Sequence, residues 1–167
     1  MSRQPPFDPY ALFAALERER VAYVVIGGFA RVVHGSAETS DGLDLVPSLR
    51  EENLRRLGRV LEQLEAPQPD LREHVARSEP VTARTSAGEL RIVPELRGTR
   101  GYDDLRIRAF RENLGRGARP QVASLVDCVR MLEASEREPD AERLQRLRRL
   151  MELERRLAPE RGLSIDL

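Results

Sequence analysis

The segment that most constrains the fold runs from residue 24 to residue 46, VVIGGFARVVHGSAETSDGLDLV, because its conformation must change at a pair of glycines. The apolar run before the glycines predicts a buried strand. A short helical pattern and a polar loop then lead into a second strand that carries an acid. A glycine turn lets backbone N–H groups approach phosphate oxygens, and carboxylates are the ligands that Mg²⁺ prefers. The segment therefore predicts two neighbouring strands with an anion-binding turn between them.

The acids of this segment form an incomplete set. Side chains alternate along a strand, so Gly42, Asp44 and Val46 lie on one face of the predicted second strand. Asp44 has the position of a metal ligand, but the partner position on its face is a glycine. Asp41 points away unless the strand begins with a bulge. We therefore expect one carboxylate at this strand where a divalent metal needs two.

Arginine is the only cation of this chain besides its two histidines. The 28 positive residues are all arginine and balance 28 acids, so a side-chain contact to phosphate must come from arginine. Global neutrality argues against a protein that coats nucleic acid. The arginines between residues 97 and 119 leave two alternatives open, a local basic face or an ordinary solvated surface.

The lengths of the apolar runs bear on the cellular location, and the cysteine count bears on disulfide and zinc chemistry. The longest uncharged apolar run, residues 21–30, is far shorter than the ~20 residues of a membrane-spanning helix, and residues 1–10 lack an apolar signal segment. We therefore expect no membrane partner and a cytoplasmic protein. Cys128 is the only cysteine, which excludes an intrachain disulfide and a Cys-based zinc site. We expect it to fill the interior of a helical region.

The rest of the chain alternates between helical and extended patterns. Asp8 and Pro9 begin a helix that runs to about Arg20, and Ser48 with Glu51 forms a capping box for a second amphipathic helix. The other predicted elements are strands at 22–26 and 42–46, a helix at 29–34, a helical turn at 71–77, two strands within 80–93, an ambiguous helix or strand at 101–112, a helix from Ser124 to about Ser135, and a last helix from Asp140 with an apolar stripe of Leu144, Leu147, Leu150, Met151 and Leu153. We predict a single domain over residues 1–167, with a core at about 8–123 and a C-terminal helical part at about 124–160. Its class is α/β (α+β), a mixed sheet flanked by helices.

An ordered set of residues carries a resemblance to a known family. The set comprises Gly27-Gly28, Ala30, His34-Gly35-Ser36, Thr39 and Asp44-Leu45, followed by similar segments at 88–105 and 122–140. It resembles the bacterial nucleotidyltransferase family of the AbiEii type, the toxin half of type IV toxin-antitoxin pairs, within the polymerase-beta-like superfamily. The resemblance implies a nucleotidyltransferase-like core that binds a nucleoside triphosphate (NTP) and Mg²⁺. It also implies an acceptor such as tRNA and an antitoxin protein as partner.

The resemblance also assigns roles to residues. It implies that the phosphate-binding and nucleotide-binding positions are Gly27, Gly28, Ser36, Thr39, Arg130 and Arg137, although Ser36 and Thr39 are equally typical of caps and turns. Asp44 is the implied catalytic and metal-binding residue. The family has aspartates where Gly42 and Arg91 stand, so one of three expected metal carboxylates is present. Asp41, Glu89 and Glu95 are the nearby acids from which a metal site could be rebuilt.

The two departures suggest one hypothesis. If Asp44 and Arg91 face each other on adjacent strands, the guanidinium pairs with the carboxylate and takes the space of the metal. Three functions then stay open. The protein is a transferase with weakened or lost activity, a non-catalytic module that binds nucleotide, RNA or a partner, or a relic that still folds.

Overall fold

Six short strands and seven helices form the part of the chain that the computed structural model describes, residues 5–135 and 138–165. In chain order the elements are α1 (Pro9–Arg18), β1 (Tyr23–Ile26), α2 (Gly27–Val33), β2 (Gly42–Pro47), α3 (Glu51–Gln63), α4 (Leu71–Ala76), β3 (Val81–Thr85), β4 (Gly88–Ile92), α5 (Tyr102–Arg108), β5 (Phe110–Arg111), β6 (Gln121–Val122), α6 (Leu125–Glu133) and α7 (Glu138–Ile165).

The strands form one mixed sheet in the order β3-β4-β2-β1-β6-β5. β1 pairs antiparallel with β2 and parallel with β6, and β2 pairs parallel with β4. The edge strands β3 and β5 are antiparallel to their neighbours. The predicted α/β class with a mixed sheet and C-terminal helices is confirmed.

Alternation along β2 and β4 divides the sheet into an apolar face and a polar face. Leu43 and Leu45 of β2, with Leu90 and Ile92 of β4, are fully buried in the core. Between these leucines Asp44 lies on the opposite face and is half-buried, as the strand period of two predicted. The predicted polar position of Asp44 on β2 is therefore correct, and the polar face is available for a site.

Two of the predicted helix caps are present and one is wrong. The Asp8 carboxylate accepts a hydrogen bond from the Ala11 N–H at 3.1 Å, and the Ser124 hydroxyl caps α6. Ser48 does not cap α3, which begins at Glu51 with Arg50 in the cap position. The reason is a tertiary contact. Buried Asn53 binds the backbone of both Ala22 and Ser48 at 2.7–2.9 Å and so holds Ser48 at the end of β2.

The remaining differences fall in the second half of the chain. The ambiguous segment contains both a helix, α5, and a short strand, β5. Strand β6 was not predicted, and α7 begins at Glu138, two residues before Asp140. The apolar stripe of α7 includes fully buried Leu147 but not Leu153, which is 52% exposed. No helix in the described ranges has the length and apolarity needed to cross a membrane.

Candidate functional site

A cavity of about 320 Å³ lies where β1 ends and α2 begins. Its walls come from the polar face of β2 and β4, from α6 and from the start of α7, and Cys128, Met131 and Leu132 form its apolar side. The charged residues of the lining are four arginines and two aspartates, Arg31, Arg91, Arg97, Arg143, Asp44 and Asp140. The lining therefore carries an excess of two positive charges. We call these four arginines and two aspartates the cavity set.

The glycine turn is in direct contact with the acid of β2. Gly27 has a φ of +69°, and a Cβ at this position would lie 2.6 Å from Oδ2 of Asp44. A residue with a side chain would therefore be strained and would also collide with the carboxylate. Glycine is needed at position 27 because the turn packs against Asp44, the acid that the sequence predicted for the site.

Asp44 and Arg91 occupy opposite positions in the parallel pairing of β2 and β4. Both side chains line the cavity, which is the arrangement that the strand registers predicted. They do not form an ion pair with each other, so the expectation that the Arg91 guanidinium pairs with the Asp44 carboxylate is wrong, because the two side chains border an open cavity between them. Within residues 5–135 and 138–165, the Arg91 guanidinium has no hydrogen-bond or ion-pair partner, so its donors are available to a ligand.

The donor set does not fit Mg²⁺. Hard divalent cations need several oxygen ligands, and the lining offers two carboxylates on different elements. One of them, Asp140, already accepts hydrogen bonds from Ser135 and from Arg143, the latter at 2.8 Å. Among the described residues no three His, Cys, Asp or Glu side chains are placed to hold a metal ion. The arginine opposite Asp44 would also repel a cation.

The nearby acids do not rebuild the metal site. Asp41, Glu89 and Glu95 are exposed, and none of them lines the cavity. Asp41 and Glu89 instead border a separate depression beside Arg84. A carboxylate cluster at the cavity is therefore absent from the part of the chain that the structure describes.

An internal anion lies beside the glycine turn. The Glu38 carboxylate accepts two hydrogen bonds from the Arg31 guanidinium, each at 3.0 Å, and one from the Ser36 hydroxyl at 2.8 Å. Arg143 approaches to 3.8 Å. Burial alone raises the pKa of Glu38, but the hydrogen bonds and the two arginine charges together lower it below its usual value. Glu38 is therefore ionised at neutral pH.

The structure places the predicted phosphate and nucleotide residues in different surroundings. Gly27 lines the cavity and Gly28 lies beside Glu38, so both adjoin the site. Buried Ser36 binds Glu38, and Thr39 is exposed on the loop before β2. Arg137 lies outside the described residues.

Arg130 is not brought into the cavity. Its guanidinium binds Asp127 at 2.7 Å and Asp104 at 3.3 Å, and Arg108 binds the same two aspartates. We call these four residues the α5–α6 cluster. The hydrogen bond with Asp127 raises the pKa of Arg130. The backbone N–H of Arg100 and the guanidinium of Arg130 lower the pKa of Asp104. Arg130 thus joins α6 to α5.

Two further residues have packing roles, and for Cys128 this is the role that the sequence predicted. The Nε2 of His34 donates to the Ala123 carbonyl at 2.8 Å, and its ring contacts Phe110 edge to face. Cys128 is buried in the cavity wall, where burial raises the pKa of its thiol to about 12. The buried thiol is therefore not set up for nucleophilic chemistry at neutral pH.

Sequence reasoning missed several members of the site, namely Arg31, Glu38, Arg97 and Arg143. One signal was present for Arg31, because it follows Gly27 by four residues and so shares its side of α2. The others come from a loop, a turn and the last helix, whose positions relative to the sheet carry no local signal.

Comparisons with known proteins support the fold. No protein-family model matches the chain, and no curated protein is significantly similar to it in sequence. Among solved structures, the chain is similar to the solution structure of the antibiotic-resistance factor ANT(2'')-Ia, an aminoglycoside nucleotidyltransferase, with a TM-score of 0.56. The similarity covers 95% of this chain and 92% of that chain at 14% sequence identity. The chain therefore has a nucleotidyltransferase-like fold.

Proposed function

We propose that this chain is a nucleotidyltransferase-fold protein that binds the polyphosphate of a nucleoside triphosphate in its arginine-lined cavity and has weakened or lost metal-dependent transfer. The observation that carries the proposal is the register of Asp44 opposite Arg91. In that register a metal ligand faces a fixed positive charge. The site therefore favours an anion over a divalent cation.

The charge distribution of the lining supports anion binding. Four arginines outnumber two aspartates, and the guanidinium fork matches two oxygens of a phosphate group. Arg91 has no partner among the described residues, so a phosphate there would not have to break an existing ion pair. Hydrogen bonds to charged groups contribute ~1.5–3 kcal/mol each, enough for one arginine to change affinity at least tenfold.

The AbiEii-type assignment is a finer proposal that rests on the residues of the glycine turn and on Asp44. With it we propose tRNA or another RNA as the acceptor and an antitoxin protein as the partner. Gly27 and Gly28 then border the phosphates, and Asp44 is the remaining catalytic carboxylate. One apolar core that contains both Leu12 and Leu147 supports the proposal that the chain forms a single domain.

The alternative is a fully non-catalytic module that binds nucleotide, RNA or a partner protein. The same Arg91 register favours it, because the site lacks the ligands that transfer chemistry uses. The two functions differ in whether any NTP is turned over. They do not differ in the predicted preference for the metal-free polyphosphate.

Isothermal titration calorimetry with MgATP, MgCTP and ATP in EDTA tests the proposal. We expect metal-free ATP to bind at least as tightly as MgATP, because Mg²⁺ neutralises the charge that the arginines recognise. Arg91→Glu should weaken the binding of metal-free ATP ~10-fold or more. The matched control is Arg84→Glu, which makes the same charge change at an exposed position of β3 outside the cavity and should leave affinity unchanged.

Two results would contradict this proposal in different ways. Tight binding that requires Mg²⁺, together with release of pyrophosphate, would show a working transferase. Absence of nucleotide binding under every condition would leave only the partner-binding or RNA-binding module.

A further inference from the structure

We propose that the Glu38 carboxylate occupies the position of a phosphate group, and that Arg31, Ser36 and Arg143 form a phosphate subsite that opens when Glu38 leaves it. The inference rests on the proposed polyphosphate function and specifies where one phosphate binds. The ligand class is inorganic polyphosphate or the polyphosphate of a nucleotide.

The donors around Glu38 are those that a phosphate group takes. A bidentate guanidinium and a hydroxyl bind the carboxylate at 2.8–3.0 Å, and a second guanidinium lies at 3.8 Å. Arginine forks bind carboxylate and phosphate with the same geometry. The side chains of Glu38 and Arg31 are both only 11% exposed, so the donors form an enclosed set.

The subsite is continuous with the cavity. Arg31 and Arg143 line the cavity on one side and bind Glu38 on the other. A Cβ at Gly28 would lie 3.4 Å from Oε1 of Glu38, so the carboxylate lies against the second glycine of the turn. The sequence predicted a phosphate beside Gly28 and Ser36. The structure has an anion there, and the anion belongs to the chain itself.

The loop around Glu38 offers the carboxylate a place to move. Residues 36–40 have no helix or strand, and Gly35 before them adopts a φ of +98°. Glu38 also borders a second, shallow depression that it shares with Thr39, Arg143 and Arg146. A change of the Glu38 side chain toward this depression would expose the donors of Arg31 and Ser36.

Replacement of one anion by another keeps the arginines paired in both states. An enclosed arginine without a partner is costly, so a site whose cation is always neutralised avoids that cost before the ligand arrives. The consequence is competition. Every polyphosphate that binds must displace Glu38, and the observed affinity is lower than the intrinsic affinity of the subsite.

The test is calorimetric titration of the full chain with inorganic tripolyphosphate in EDTA, for the wild type, Glu38→Ala and Glu38→Gln. We expect Glu38→Ala to bind tripolyphosphate at least ~10-fold more tightly than the wild type. Glu38→Gln, which keeps the side-chain size, should give a smaller gain in the same direction. Thermal unfolding of each variant establishes that the compared proteins are folded.

The matched control is Glu152→Ala. Glu152 is 64% exposed, pairs with Arg156 at 2.9 Å and lies outside the depression beside Glu38, so its removal changes the net charge equally without touching Arg31 or Ser36. We expect a change of at most about twofold, because exposed charges are screened. An equal gain in this control would mean a general charge effect and would overturn the inference.

The remaining outcomes separate this inference from the proposed function. If the wild type binds tripolyphosphate and both Glu38 variants bind it equally or more weakly, Glu38 is a structural brace. The phosphate subsite is then wrong, while the proposed function stands. If no folded variant binds tripolyphosphate, both proposals are wrong.

Discussion

The cavity set and the α5–α6 cluster are both groups of arginines and aspartates, yet they differ in whether the positive and negative charges within the group balance. In the α5–α6 cluster two arginines meet two aspartates, and Asp127 is completely buried between Arg108 and Arg130. In the cavity set four arginines meet two aspartates, Glu38 binds two of these arginines from outside the set, and Arg91 has no partner in the described ranges. The first group joins helices, and the second borders empty space that a ligand can enter.

The comparison shows that arginine content does not identify a binding site. What distinguishes the two groups is the balance of opposite charges and the presence of a cavity. A cluster in which each charge has a partner contributes to structure. A surplus of cationic side chains in the lining of a cavity attracts an anion from solution. The following predictions test this distinction, beginning with the largest effect.

Replacement of Asp127 should have the largest effect, and the effect should be on stability. Asp127→Ala removes the buried carboxylate that Arg108 and Arg130 share. We expect a loss of about 2–4 kcal/mol in the free energy of unfolding, measured by urea denaturation. Tripolyphosphate affinity of the folded fraction should not change, because the cluster does not line the cavity.

Asp103→Ala is the control for this prediction. Asp103 is 86% exposed and pairs with Arg106 at 3.3 Å, so we expect a loss below ~1 kcal/mol. Equal losses for Asp103→Ala and Asp127→Ala would contradict the structural role of the α5–α6 cluster. A loss of tripolyphosphate binding in folded Asp127→Ala would show that the α5–α6 cluster contributes to binding, and would contradict the distinction between the two regions.

The double change Gly42→Asp with Arg91→Asp should convert the cavity set from an anion site into a weak metal site. Carboxylates would then stand at positions 42, 44 and 91 on one face of β2 and β4. A Cβ at Gly42 would lie 3.2 Å from the Glu89 carbonyl oxygen, so the strands must separate by a few tenths of an ångström. We expect Mg²⁺ or Mn²⁺ binding with a Kd of about 1 mM, measured by calorimetry.

Arg91→Asp alone is the control for the double change, because it removes the cation without completing the carboxylate set. It should weaken tripolyphosphate binding and give no metal binding. If the double variant is folded and binds no metal at millimolar concentration, the backbone positions of β2 and β4 also differ from those that a metal site requires, and replacing side chains is not sufficient.

The pH dependence of stability should show the smallest effect, and with the same sign in both regions. Glu38 and Asp104 have lowered pKa values in the folded state. A carboxyl group whose pKa is lower in the folded state stabilises the protein at pH values above its unfolded pKa, which is about 4.3 for Glu and 3.9 for Asp. That contribution is lost as the pH falls through the folded pKa. Thermal midpoints from pH 7 to pH 3 should therefore converge between the wild type and Glu38→Gln, and likewise for Asp104→Asn.

A difference between the wild type and either variant that grows on acidification would contradict the assigned interactions. An unequal response would be informative as well. If Asp104→Asn converges and Glu38→Gln does not, the Glu38 carboxylate is not held by Arg31 in solution.

The sequence was sufficient for the elements whose pattern is local. The alternation of Leu43, Asp44 and Leu45 determines which face of β2 meets the core. The caps at Asp8 and Ser124 follow from side chains within three residues of the amides they bind. These features depend on residues that are close together in the sequence, so no knowledge of the tertiary structure was needed.

The features that the sequence did not show depend on distant partners. Strand β6 has two residues and exists because it pairs with β1 nearly a hundred positions earlier. Ser48 stays at the end of β2 because Asn53 joins it to Ala22, 31 positions before Asn53, and Arg130 binds Asp104 of α5 as well as its helix neighbour Asp127. Helical spacing shows which residues share a face. It does not show which face meets the sheet.

Cys128 gives the molecule a natural reporter of local opening. It is the only thiol, it is 2% exposed, and it belongs to the wall of the cavity on α6. Alkylation therefore requires a local opening of the cavity wall, and its rate at neutral pH records how often that opening occurs. A ligand that contacts both α6 and the strands would slow the alkylation. A time course of mass measurements would therefore report occupancy of the cavity without any engineered label.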